Sequence, residues 1–457
     1  MDQKKRKIKK RNDTMSFRVD KQSIDDLGIF GRIREQSVYG VYNKTVTHGG
    51  SLILEDMFRY PLSEEDKINE RGSIISYFQK LDISFPFKSE LFDSVEFYLG
   101  NTDSRTRLSV HENTLERRFK TALGSDTEYE MIHKGVLSMT EILCNLDRFL
   151  KDLDSKGVDP SYSKDLDAMK EILSVKEFSP CLKETSFKKF PYTKVAEYDQ
   201  EFRYDLREKL KLLLSYIYSM DVYISVARVS AERGFTRAKA LPAGTNRLEM
   251  KDVYHPLLKN PVANSINVDE KSNMIFLTGA NMAGKSTFMK TFSIAVYLAH
   301  MGFPVPAADI SFSVQNGMFT TINLPDNMNM GYSHFYAEVM RVKKVAESIG
   351  SSKNLIVIFD ELFRGTNVKD AYDATVAVSE AFARNRNCMF IISTHIIEAG
   401  ETLRERCDNI NFINLPTVMD KGIPRYTYRL AEGITSDRHG MIIINNEGIL
   451  DILKKRR

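Results

Sequence analysis

Thr278-Gly-Ala-Asn-Met-Ala-Gly-Lys-Ser-Thr287 places two glycines, a lysine and a hydroxyl at the spacing Gly-x-x-x-x-Gly-Lys-Ser/Thr, through Gly279, Gly284, Lys285 and Ser286. The apolar run Met274–Leu277 before it predicts a buried strand, and Lys285 to about Ala299 predicts a helix. Gly279, Ala280, Asn281, Met282, Ala283, Gly284, Lys285, Ser286 and Thr287 then form the turn between them. Glycines let backbone N–H groups face a polyphosphate without Cβ clashes. The helix that follows points its positive end at the same charge. Lys285 is placed to reach the β- and γ-phosphates, and Ser286 to offer its hydroxyl to Mg²⁺. A glycine-rich turn carrying a solvated lysine is the plain alternative, and the flanking strand and helix argue against it.

Downstream, Leu355-Ile-Val-Ile-Phe-Asp-Glu361 is an apolar strand ending in two acids. A carboxylate at a strand tip holds Mg²⁺, which suits Asp360. Glu361 is then placed to orient and deprotonate the attacking water. Another apolar run, Met389–Ile392, leads into Ser393-Thr-His395. His395 reads as a sensor of the γ-phosphate, against the plainer reading of a structural histidine. Arg364-Gly-Thr-Asn367 predicts a turn directly after the acids, where subunits of composite ATPases meet. Gly331-Tyr-Ser-His-Phe-Tyr-Ala-Glu338 contains Ser333 at a predicted helix start, either an anion site or an ordinary cap. Together these alternating strands and helices predict a three-layer α/β nucleotide-binding domain over residues 244–457, after the linker Leu241-Pro-Ala-Gly244.

The N-terminal half reads differently. Residues 1–20 predict a disordered basic tail, with Lys4-Lys-Arg-Lys7 and Lys9-Lys-Arg11, and Lys454-Lys-Arg-Arg457 closes the chain. Such runs are ordinarily solvated; a nucleic-acid tether or a localisation signal is the sharper reading. Residues 21–243 are patterned as helices. Ile132, Val136, Met139, Leu143, Leu146, Leu150 and Leu153 recur at alternating steps of four and three, as do Leu206, Leu210, Leu213, Ile217, Met220, Ile224 and Ala227. Two long helices result, either an antiparallel pair joined by residues 155–203 or two members of a bundle. Within the joining segment, Phe187-Lys-Lys-Phe190, Tyr192 and Lys194 interleave aromatics with bases, which suits either a phosphate backbone or a loop anchored by its own rings. Charge is nearly balanced, with a formal net of +4, so no global field demands a polyanion. Cys144, Cys181, Cys388 and Cys407 include no Cys-x-x-Cys, which predicts a reducing compartment and no zinc site. No uninterrupted apolar run approaches the roughly 18 residues of a membrane span. The expectation is a soluble, cytoplasmic protein, nucleoid-associated if bacterial, with no membrane partner.

Taken together these elements resemble the MutS family of DNA mismatch-repair ATPases. The family's Thr-Gly-Pro-Asn-Met-Gly-Gly-Lys-Ser-Thr is matched at Asn281, Met282 and Lys285–Thr287, with Ala280 and Ala283 for proline and glycine. His255-Pro256 and Ala263-Asn264 also match, while the aromatic expected three positions before Asn264 to pack on adenine stands as Pro261. Ser-x-Phe-x-x-Glu is present as Ser333, Phe335 and Glu338. Asp-Glu-x-Gly-Arg-Gly-Thr is present as Asp360-Glu361 and Arg364–Thr366, with Phe363 for the first glycine; Thr394-His395, Gly433, Ser436 and Gly440 follow. In the helical half, Asn43–Gly50, Tyr60-Pro-Leu62, Ile68–Arg71 and Tyr218–Val222 are similar to the family's core and returning lever helix. The likeness spans roughly residues 20–457.

The resemblance implies an α + α/β chain: a long-helix core and lever domain, with 155–203 as a short tip in place of a full clamp, followed by an ABC-type P-loop NTPase domain. It implies ATP and Mg²⁺ as cofactors, with Asn264 among the nucleotide contacts, Ser286 and Asp360 as metal ligands, and Glu361 and His395 as catalytic residues. Ser333 would act in trans on the γ-phosphate held by a partner subunit. It further implies an ATP-dependent homodimer, or a heterodimer with another MutS-like chain, that clamps double-stranded DNA mostly through its backbone in mismatch repair or a related process. No Phe-x-Glu mismatch wedge stands near the N-terminus, and the wedge and connector domains, like the C-terminal dimerisation helices, are expected to be missing. That favours a second possibility, a nucleotide-dependent interaction switch or accessory subunit with little DNA specificity. An ABC transporter subunit would need a Leu-Ser-Gly-Gly-Gln signature, which the chain lacks.

Overall fold

The computed structural model describes residues 17–31, 36–108, 127–322, 334–351, 354–420, 423–435 and 449–454. Gly331, Ser333, Ser436, Gly440 and both basic terminal runs fall wholly or mostly outside the described residues. Two compact units emerge, and the division is not a single cut near residue 243. One unit draws on Met1–Val41, Phe58–Gly72 and Ser230–Arg457, the other on Tyr42–Met57 and Ser73–Val229.

Among the described residues, the first unit is built on a seven-stranded sheet in the order Arg18–Val19, Gly317–Thr321, Leu355–Phe359, Met389–Ser393, Met274–Gly279, Ile410–Leu415, Ala431–Glu432. Every pairing is parallel except the last. The strands Met274–Gly279, Gly317–Thr321, Leu355–Phe359 and Met389–Ser393 are buried at every position. That is why Met274–Leu277, Leu355–Phe359 and Met389–Ile392 read as unbroken apolar runs rather than alternating ones. Helices Lys285–His300, His334–Ser351, Val368–Ala383 and Ile397–Arg406 connect and cover them. Because the strands run the same way, their C-terminal ends gather on one edge, where ligands bind in open parallel sheets. A second sheet, ordered Lys239–Leu241, Asp309–Ser313, Leu248–Val253, Asn264–Val268, belongs to the same unit.

Of the expected tail, residues 17–20 are described, and they pack on the large sheet. Arg18–Val19 adds a short strand beside Gly317–Thr321, so close that a Cβ on Gly317 would lie 2.5 Å from the Arg18 carbonyl oxygen. Asp26 accepts from the Thr320 hydroxyl at 2.8 Å and the Ile322 N–H at 2.9 Å. Asp20 receives Arg341 and Lys344 from helix His334–Ser351, and these cations hold its carboxyl far below the usual range against the cost of burial. Composition suggests a solvated tail; over residues 17–20 these long-range partners hold the chain instead. Phe17 stacks on His300 with centroids 3.9 Å apart. His300 is fully buried, its Nδ1 3.0 Å from the Leu62 carbonyl and its Nε2 accepting from the Gln315 N–H.

The second unit is a helical bundle. Thr127–Lys156 and Arg207–Arg233 are the two predicted long helices, and all fourteen stripe residues are buried. Thr127–Lys156 packs closely on Ser89–Gly100: a Cβ on Gly135 would lie 2.3 Å from the Tyr98 ring. The bundle reading, rather than an isolated helix pair, describes this unit. Residues 155–203 are themselves helical, with Tyr162, Phe178 and Phe190 buried. In that segment Tyr192 stacks on Tyr129, Lys194 pairs with Glu184 at 2.7 Å, and the Phe190 N–H donates to His133. The interleaved rings therefore anchor their own loop. Arg207–Arg233 is long and apolar enough to cross a membrane by composition, yet 61% of that stretch is buried in the protein, as in a core helix.

Two segments singled out in the sequence meet in this unit. The buried Asp221 carboxylate accepts from the backbone of Val46 and Thr47 and from the Thr47 hydroxyl, at 3.0, 2.8 and 2.7 Å. A Cβ on Gly49 would strike the Tyr218 ring at 2.5 Å, and one on Gly50 the Asp221 carboxylate at 2.6 Å. Close approach, not turn geometry, accounts for these adjacent glycines.

Candidate functional site

The parallel strands deliver the predicted residues to one edge. Strand Met274–Gly279 ends at Gly279, whose φ of 154° sits in a region that side chains resist. The loop then passes through Met282 at φ 65° and Gly284 at φ 102°, and helix Lys285–His300 begins. Ala280 and Ala283 lie outside the left-handed region, which explains why alanine serves there. Gly284 gives the helix no side-chain cap. Lys285 is buried, and its Nζ donates to the Gly279 and Ala280 carbonyls at 2.8 and 3.2 Å. Burial lowers its pKa, while Asp360 and Glu361 pull the other way.

Asp360 joins the two halves. Its carboxylate accepts from Ser286 on one oxygen and from Ser393 at 2.5 Å on the other. Ser286 and Asp360, two hard oxygen donors from separate elements, therefore lie within one small cation's reach of each other, which fits Mg²⁺ chemistry. Ser393 also accepts the Glu361 N–H at 3.1 Å. The strand bearing Ser393 is a neighbour of Leu355–Phe359, and its hydroxyl ties the Asp360 carboxylate to the Glu361 backbone.

Glu361 leaves its strand with φ 56° and is held on both oxygens. His395 Nε2 lies 2.8 Å from Oε1, and Arg364 Nη1 donates to Oε2 at 3.1 Å. His395 first, then Arg364, draws the carboxyl down to about 2 against the effect of burial. His395 thus stands on the Glu361 carboxylate. The Arg364–Asn367 turn runs into helix Val368–Ala383, where the Asn367 side chain accepts the Asp370 N–H at 2.9 Å.

Beside the loop opens a cleft of about 640 Å³, counted to its mouth, lined among others by His255, Pro261, Asn264, Thr287, Phe288 and Tyr428. Asn264 lies in it as expected, but its amide engages the chain opposite: it donates to the Tyr428 carbonyl at 3.0 Å and accepts from the Leu430 N–H at 2.8 Å. An aromatic side chain shares the cleft with Pro261. Tyr428, at φ 56°, follows the hairpin of Thr417–Asp420 and Ile423–Tyr426 and faces the same cleft. A Cβ on Gly284 would touch its ring at 3.0 Å. Sequence reasoning missed Tyr428 and the bridging part of Ser393, because no spacing ties either to the loop. Ser333 lies outside the described residues. Among the described residues, no group of three or more His, Cys, Asp or Glu side chains forms a metal cluster.

Residues 275–455 match the family model for MutS domain V. Similar proteins include the DNA mismatch repair protein MutS of Leuconostoc mesenteroides, 25% identical over 410 residues, or 85% of this chain and 42% of that one. DNA mismatch repair protein spellchecker 1 of Drosophila melanogaster is 29% identical over 240 residues, covering 51% of this chain and 26% of its own length. MutS protein homolog 4 of Homo sapiens is 30% identical over 230 residues, covering 48% and 24% respectively. The chain thus spans less than half the length of these relatives.

Proposed function

We propose, from the premise that this chain belongs to the MutS family, that it is an ATPase whose nucleotide cycle drives closure on DNA, in mismatch repair or a related process. The single observation that carries the reading is the meeting of Ser286, Asp360, Ser393 and Glu361 beside the Gly279–Thr287 loop. The loop N–H groups and Lys285 would hold the phosphates, with Lys285 exchanging its two carbonyl partners for them. Ser286 and Asp360 would hold Mg²⁺, which when bound offsets charge on the phosphate oxygens. Ser393 keeps Asp360 and the Glu361 backbone in register. Glu361, ionised at neutral pH, accepts the proton of the attacking water once Arg364 yields one oxygen, and His395 steadies the other. Tyr428 would stack on the base across from Pro261. The rest of the cycle rests on family likeness: Ser333 reaching a partner's γ-phosphate, a homodimer or a heterodimer with another MutS-like chain, and backbone-dominated contact with duplex DNA in the cytoplasm.

The test is ATP turnover with Mg²⁺, alone and with homoduplex, mismatched or branched DNA. Wild type should hydrolyse ATP, and Lys285→Ala should lose at least tenfold in both nucleotide affinity and turnover. A chain that neither retains nor consumes ATP, with Lys285→Ala indistinguishable from it, overturns the reading.

A further inference from the structure

We propose that Phe363 is a positioning residue for the hydrolytic step, its buried ring fixing the turn that sets Glu361 and Arg364; this rests on the ATPase reading above. After strand Leu355–Phe359 the chain turns two consecutive apolar side chains inward, Leu362 and Phe363, at 5% and 4% exposure. The flanking charged side chains, Glu361 and Arg364, face each other outside at 3.1 Å. That arrangement requires left-handed backbone at Glu361, φ 56°, and at Phe363, φ 61°. A glycine would adopt the second without strain; a phenylalanine adopts it only where its surroundings hold it there.

The holding contacts are on the ring. Phe363 lies in the apolar cluster with Leu362, Phe359 and Ala371, and meets Phe335 with centroids 6.0 Å apart at 58°. Phe335 belongs to helix His334–Ser351, a different element from the strand that bears Glu361. On the other side, the Leu362 N–H donates to the Ser393 carbonyl, and the Thr375 hydroxyl to the Leu362 carbonyl. The turn is therefore clamped from three elements, with the strained residue at its centre and Arg364 directly after it. Displacing the ring lets the turn relax, so the Glu361 backbone at its start no longer holds the carboxylate where the attacking water must lie. Lys285 and its loop take no part in this cluster, so nucleotide capture and catalysis should separate.

The experiment uses the full chain and a fluorescent ATP analogue for affinity, steady-state turnover for kcat, and thermal unfolding as a control. Phe363→Gly should lower kcat at least tenfold and leave nucleotide affinity within threefold when both are read well below its melting temperature, which falls because loss of the buried ring outweighs relief of the backbone. Phe363→Leu, which keeps an apolar anchor, should recover most of the turnover. Phe335→Ala should lower kcat in the same way and add nothing further to Phe363→Gly. Wild-type kcat in Phe363→Gly, or affinity and turnover falling together in step with unfolding, overturns the proposal. Should Phe363→Gly not fold, Phe335→Ala decides it by the same split, a lowered kcat at unchanged affinity supporting the role and a wild-type kcat overturning it. If Glu361→Gln abolishes turnover while Phe363→Gly does not lower it, only the role of Phe363 falls; a wild-type chain without turnover removes both.

Discussion

His300 shows what full burial does to one titrating ring. Its Nε2 accepts the Gln315 N–H, so its proton sits on Nδ1 and is donated to the Leu62 carbonyl. Phe17 and Phe312 close the remaining faces. Desolvation pushes its pKa from 6.5 down to about 3, with the Leu62 hydrogen bond only partly opposing it. Above pH 6.5 the ring is neutral both folded and unfolded, and this site is at its most favourable. As pH falls from 6.5 toward 3, the unfolded chain takes up a proton that the folded chain refuses. Stability then drops by about 1.4 kcal/mol per pH unit from this site alone. Urea unfolding between pH 7.5 and 5 should show that slope, and His300→Gln should reduce it. Glu361 is the opposite case, since partners rather than exposure decide its state: His395 and Arg364 keep it ionised although it is partly buried. Both acids and the lysine were readable from motif spacing. The His395–Glu361 contact was not, because the sequence placed His395 near a phosphate without saying what the ring touches meanwhile.

The strands of the large sheet were legible because burial on both faces makes the apolar runs continuous, as in Leu355–Phe359 and Met389–Ser393. The hairpin ending at Tyr426 was not, since Val418 and Met419 are exposed and its pattern is weak. Yet that hairpin brings Tyr428 to the cleft, 164 residues from the Asn264 side chain that binds its carbonyl. A stacking ring contributes about 0.5–1.5 kcal/mol, so Tyr428→Ala should weaken ATP binding by roughly two- to tenfold. Tyr428→Phe should bind as wild type, because the ring face and not the hydroxyl meets the base. Equilibrium titration with a fluorescent ATP analogue distinguishes the two. Equal affinity for wild type and Tyr428→Ala would mean that the base lies elsewhere.

Assembly follows from how the chain is divided. The unit that holds the candidate site collects three separated stretches of sequence, and periodicity cannot reveal that Phe17–Asp26 belongs with strand Gly317–Thr321 and helix His334–Ser351. If two copies share ATP through Ser333, Glu361→Gln should trap dimers with ATP and Mg²⁺ and remain monomeric without nucleotide. Light scattering reads this directly, and monomers in both states would exclude a shared site. The short strand Arg18–Val19 carries a practical consequence. It occupies the flank of Gly317–Thr321, a strand buried at every position. Deleting the chain through Asp26 strips that flank and bares a row of unmet amide and carbonyl groups, the kind of template on which strands from other molecules zip together. Amino-terminal trimming of this protein should therefore yield material that precipitates or elutes as large species, while a fusion placed ahead of Phe17 stays well behaved.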